Sequence, residues 1–138
     1  MKTPSNLISQ EVESKLDGTP GWLTLYGNNI AVGQLSPEEA LHKTVEQGLR
    51  VVREELEHFL ESRDRKPYLT ALSAMTIPAR WSDIKAIVEA RKGNAVSDST
   101  IQSVLKSLEA GMLIDHRDKV YQIADPMLKT LMLSGSPP

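Results

Sequence analysis

Apolar residues recur three and four positions apart through most of the chain, and that spacing predicts a succession of amphipathic helices. Leu7, Ile8, Val12 and Leu16 form the first set, stopped by Gly18 and Pro20. Pro20 opens a second helix running to Val32 and ended by Gly33; its start is apolar nearly all round, which predicts burial against two neighbours rather than one. Trp22 and Tyr26 on it read first as core packing with their polar atoms satisfied. Ser36-Pro37-Glu38-Glu39 is a well-formed helix start, with serine as cap, proline at the first helical position and glutamate at the third. From there Leu41, Val45, Leu49, Val52, Leu56, Phe59 and Leu60 mark one stripe to about Glu61. A helix of about 25 residues would be a rod of about 37 Å. Its outer face alternates acids and bases and reads as solvated.

Ser62-Arg63-Asp64-Arg65-Lys66-Pro67 is a charge-dense break, where a boundary between residues 1–61 and 62–138 is expected. Beyond it Tyr68, Leu69, Leu72, Met75 and Ile77 predict a short helix preceded by Pro67. A turn over Pro78-Ala79-Arg80 follows, then a helix lined by Trp81, Ile84, Ile87 and Val88 and closed by Arg91-Lys92-Gly93. Ile101, Val104, Leu105 and Leu108 put one apolar face on the next helix, with Ser97 or Ser99 as cap and Gly111 expected in the left-handed conformation that ends it. Leu113-Ile114 and Val120–Ile123 then flank a polar tip, Asp115 to Lys119, as two short strands. Asp125-Pro126 opens a last helix through Met127, Leu128, Leu131, Met132 and Leu133, before a frayed end at 134–138. Helix, helix, helix, strand, strand, helix is the order of a winged helix-turn-helix. The fold class expected is therefore mainly α, with an N-terminal helical subdomain followed by a winged helix with a two-stranded wing.

Composition narrows the chemistry. With 138 residues, 40% apolar and 25% charged, the chain is an ordinary globular one, and with no cysteine it holds no disulfide or thiolate site. No run approaches the roughly 18 apolar residues that span a membrane, and a cytoplasmic location without a membrane partner is expected. The net charge of -2 hides an asymmetry: the first 61 residues hold five basic groups against ten acidic ones, the remainder eleven against eight. Contact with phosphates belongs to the second half. His42 and His58 lie sixteen positions apart on one rod, too far to share a metal. There is no glycine-rich phosphate loop, nucleophile elbow or dinucleotide fingerprint. No catalytic residue, metal or cofactor is expected.

Three stretches, Thr19-Pro20-Gly21-Trp22-Leu23 with the Ser36-Pro37-Glu38-Glu39-Ala40 helix, Arg80-Trp81-Ser82-Asp83-Ile84-Lys85, and Tyr121-Gln122-Ile123-Ala124-Asp125-Pro126, together resemble the C-terminal portion of archaeal-type AAA/STAND ATPases. The resemblance covers roughly residues 17–133. It implies a helical lid before about Ser62 and a winged-helix domain after it, following an ATP-binding core in the family. The phosphate-binding loop and acidic magnesium strand of that family have no counterpart in this sequence, so ATP hydrolysis is not expected of it.

Two functions follow. In the first, the winged helix binds double-stranded DNA. Thr100, Gln102, Ser103, Lys106 and Ser107 face the groove, Arg117 and Lys119 come from the wing, and Arg80, Lys85, Arg91 and Lys92 from the preceding helix. Gln102 is the residue able to read an adenine edge, while Asp98 and Glu109 oppose the phosphates. In the second, the helical half packs on an ATPase core or on another copy of the chain through Trp22, Leu25 and Tyr26.

Overall fold

The structure, a computed structural model, describes Gln10, Val12, Lys15, Leu16 and residues 20–134. The remaining parts of the first expected helix (Leu7, Ile8 and its Gly18 stop) and the end at 135–138 lie outside the described residues. Gln10, Val12, Lys15 and Leu16 are helical, and Leu16 is fully buried in the core.

Helix α1 (Pro20–Ala31) packs along α2 (Pro37–Leu60), which begins as its sequence demands: the Ser36 hydroxyl accepts the Glu39 amide at 3.2 Å. The buried residues of α2 are Ala40, Leu41, Thr44, Gly48, Val52, Leu56 and Leu60. Six of these stand four apart, and each step of four advances the stripe about 40° around a helix of 3.6 residues per turn. The stripe therefore turns by about 200° along the rod, and one helix meets different partners at its two ends. Near its start Thr44 and Gln47 accept hydrogen bonds from the buried Asn29 amide of α1 at 2.9 and 3.2 Å. Near its end Phe59 meets Tyr68 edge-on, ring centroids 5.6 Å apart. The expectation of two neighbours for α1 is met only in part: it lies mainly on α2 and reaches the start of α6 through Trp22, leaving Leu23 41% exposed and Val32, just beyond its end, 75% exposed.

The second half follows the expected order with a third strand added. Helix α3 (Arg65–Ala74) starts two residues before Pro67, which sits in the first turn where its missing N–H costs nothing. Ile77 falls beyond the helix and is exposed. Strand β1 (Ala79–Arg80), expected as a turn, pairs with β3 (Val120–Ile123), which also pairs with β2 (Ile114–Arg117); the antiparallel order is β1-β3-β2. A two-residue strand has no period to read, so it is invisible until β3 is beside it. Helices α4 (Trp81–Lys92) and α5 (Asp98–Ala110) lie between β1 and β2, and α6 (Pro126–Leu133) closes the chain. Leu133, expected in the α6 stripe, is instead exposed.

Gly93 takes φ 79°, the left-handed end expected of α4. Gly111 does not: its φ is -78°, and Met112 carries the positive φ of 61°. Gly111 is needed for room, since a Cβ there would stand 2.9 Å from a Phe59 ring carbon of α2. The wing tip is tighter than expected, with strand pairing reaching Arg117↔Val120 and only Asp118 and Lys119 in the turn, at φ 49° and 66°. Two successive left-handed residues make the hairpin turn whose twist suits antiparallel strands.

The halves share a core. α6 packs on α2, and Met127 lies so close to Gly48 that a Cβ there would be 3.0 Å from its Cγ. Asp125 caps α6, accepting the Met127 amide at 2.8 Å, and the same oxygen accepts Trp22 Nε1–H of α1 at 2.8 Å.

Candidate nucleic-acid interface

Helix α5 is held by Ile101, Val104, Leu105 and Leu108, all buried. Burial of each such side chain stabilises the fold by about 1.5–3 kcal/mol before entropy is counted. Its start is capped by Ser97, whose hydroxyl accepts the Thr100 amide at 3.3 Å. With the apolar face turned in, Thr100, Gln102, Ser103 and Lys106 are exposed. Ser107 is only half-exposed and is engaged, accepting a bond from Arg63 Nε at 3.3 Å.

The expected residues divide between the two flanks of α5. On one flank Arg80, Gln102 and Lys119 line a groove together with Trp81, Ser82, His116 and Tyr121. Here β1, the start of α4 and the wing converge. His116 and Tyr121 are cross-strand partners with rings stacked 4.0 Å apart at 9°, a small aromatic wall beside the wing. Burial, and then the nearby Glu109 carboxylate, push the Tyr121 phenol above its ordinary range. Glu109 also lies 4.0 Å from His116 Nδ1. Arg117 and Lys119 stand exposed at the tip.

On the other flank Arg91 and Lys92, exposed at the end of α4, share a groove with Lys66 and Thr100. Lys85 lines neither groove and is paired within the chain, its amine donating to Asp98 at 2.6 Å. That hydrogen bond holds Lys85 protonated beyond the usual lysine range. Trp22 and Tyr26 are half-buried and pack against the core, and Leu25 is half-buried. Burial raises the Tyr26 phenol.

Sequence reading missed Arg63, Lys66, Trp81, Ser82 and the His116–Tyr121 stack. The stack follows from the strand register, and the register from a turn of two residues. The others depend on how three helices converge and leave no local signal. Among the described residues no group of three or more His, Asp or Glu side chains stands ready for a metal. No helix of the described residues is long and apolar enough to cross a membrane.

Residues 61–124 match the family model of the MCM protein C-terminal winged helix-turn-helix domain. Among solved structures the chain is similar to the Walker-type ATPase of Pyrococcus abyssi, with 29% identity and a TM-score of 0.77 over 96% of this chain. It spans 37% of that ATPase chain. No curated protein matches. The chain thus carries a winged-helix domain structurally related to part of an archaeal Walker-type ATPase, and its sequence contains no phosphate-binding loop that would supply a nucleotide site.

Proposed function

We propose, from this relationship to a Walker-type ATPase, that the chain is the non-catalytic C-terminal module of such an ATPase and binds duplex DNA through its winged helix. In this reading residues 1–61 are the lid-like part and 62–138 the DNA-binding part. The module acts in the cytoplasm, with which the lack of cysteine is compatible. The observation that carries the proposal is the pairing of α5's polar outer face with two exposed cations on the wing, Arg117 and Lys119, which stand beside the exposed Asp115 and Asp118. Lys106, Arg117 and Lys119 are exposed, and none has a carboxylate partner among the described residues. Lys119 also holds a left-handed backbone that costs a non-glycine residue about 1–2 kcal/mol. A costly conformation retained by a basic side chain at a hairpin tip is understandable when that side chain has work outside the fold.

Docking follows from size. A helix with its side chains is about 10–12 Å across and the major groove about 12 Å wide. Gln102 then faces base edges, where an amide side chain pairs two-fold with adenine, while the wing lies on the neighbouring backbone. The test is anisotropy of a labelled random duplex across a salt series. Lys106, Arg117 and Lys119 as three phosphate contacts contribute about 2.7 to the magnitude of the slope of log K against log salt, and K106A/R117A/K119A should lower it by that amount. No binding at about 50 mM salt would overturn the reading.

One observation favours a second reading, in which α1 contacts an ATPase core or another copy of the chain. Its 12 residues include no charged side chain, and Leu23 on it and Val32 just after it remain exposed. A monomer by sedimentation, binding DNA with the slope above, would count against it.

A further inference from the structure

We propose that the flank of α5 opposite the wing is a second phosphate-binding rail for the same duplex, formed by Arg63 and Lys66 with Arg91 and Lys92. The inference rests on the DNA reading and extends it to a surface that the wing does not reach. Thr100 and Gln102 are two positions apart on α5, hence about 200° of rotation apart, and they open onto separate grooves. Gln102 lies with the wing. Thr100 lies in a groove with Lys66, Arg91 and Lys92, and in an adjoining one with Arg63.

All four cations are exposed, and none is within ion-pair distance of a carboxylate among the described residues. One acid, Asp64, stands among them, so the flank remains cationic. Arg63 is also positioned in advance. Its guanidinium lies 3.9 Å from the Phe59 ring centroid, Nε donates to Ser107, and a terminal nitrogen donates to the Phe59 carbonyl. Those contacts fix the plane of the fork and leave its other donors to solvent, which is how an arginine is prepared for a phosphate. Cations on both flanks of a helix about 10–12 Å wide match the two backbones that border a major groove. The wing rail meets one strand and this rail the other.

The test follows the full chain on random duplex DNA by anisotropy over a salt series, for wild type, R63Q/K66Q, R63K/K66R and R117A/K119A, each checked for its melting transition. Losing two phosphate contacts lowers the magnitude of the slope by about 1.8 in R63Q/K66Q, while the charge-conserving R63K/K66R keeps the wild-type slope. If R63Q/K66Q keeps the wild-type slope while R117A/K119A lowers it, the second rail is wrong and the wing reading stands. An equal drop in R63K/K66R also overturns the rail, because shape and not charge would then be responsible. If the wild type does not bind at low salt, the DNA reading fails and the rail with it.

Discussion

Asp125 joins α1 to α6, and D125A measures what that junction contributes. One carboxylate oxygen accepts both the Met127 amide and Trp22 Nε1–H, each at 2.8 Å, the second bond linking residues 103 positions apart. Loss of an aspartate cap costs about 1 kcal/mol. A hydrogen bond to a charged acceptor contributes about 1.5–3 kcal/mol, and partial burial places this one near the lower figure. The expected loss is about 2.5 kcal/mol, or roughly 10 °C in Tm at about 4 °C per kcal/mol for a chain of this size. D125N keeps an acceptor and a good cap, so it should lose less than about 1 kcal/mol. Urea denaturation of wild type, W22F, D125A and the double variant isolates the Trp22–Asp125 coupling, expected at about 1–1.5 kcal/mol. A coupling below about 0.3 kcal/mol, the ordinary error of additivity, would refute the reasoning, as would a first melting step that D125A leaves unmoved.

Replacing Lys119 by glycine relieves a left-handed residue at about 1–2 kcal/mol while adding about 0.5–1 kcal/mol of chain entropy. K119G should therefore be more stable by about 0.5–1 kcal/mol in urea yet lose about 0.9 of its salt slope. Gly48→Ala should destabilise: helix propensity favours alanine by about 1 kcal/mol, but its Cβ would overpack buried Met127, at about 1–3 kcal/mol. A rise in Tm would contradict that packing. Arg65 donates two hydrogen bonds to Glu57 at 2.9 and 3.0 Å, and these, more than its charge, hold the Glu57 carboxyl below its usual range. A lowered folded-state pKa gives stability that is full above the unfolded value and is lost as pH falls through the folded one. The Tm difference between wild type and E57Q should therefore be constant near neutrality and shrink on acidification below the ordinary glutamate range. D98N frees Lys85 and removes an opposing charge at the start of α5, so its salt slope should steepen by about 0.9. An unchanged slope would mean that Lys85 does not reach DNA.

Much of the scaffold was legible locally because its signals are local. The Ser36, Ser97 and Asp125 caps, the Gly93 stop and the inward face of α5 each depend on residues within one or two turns of each other. Reading stopped where a residue's role is set by something distant. Gly111 looked like a helix end and is a clearance for Phe59. Ala40, Thr44 and Gly48 are buried although no hydrophobic pattern marks them, because small residues let α1 and α6 approach α2 closely.

The candidate site divides the same way. The exposed face of α5 and the wing cations Arg117 and Lys119 follow from periodicity and a turn. That Lys85 is taken by Asp98, that Arg91 and Lys92 stand across α5 from Arg80 and Lys119, and that Arg63 is held over Phe59, follow only from helix packing. Local pattern was enough for the inward face of α5 and for the capped starts of α2, α5 and α6, since periodicity and capping act over a few residues. Which cations stand together and which are paired with an acid depends on how the helices pack. Charges act across gaps of a few ångströms that are closed by contacts between residues far apart in the chain, and no local pattern records those.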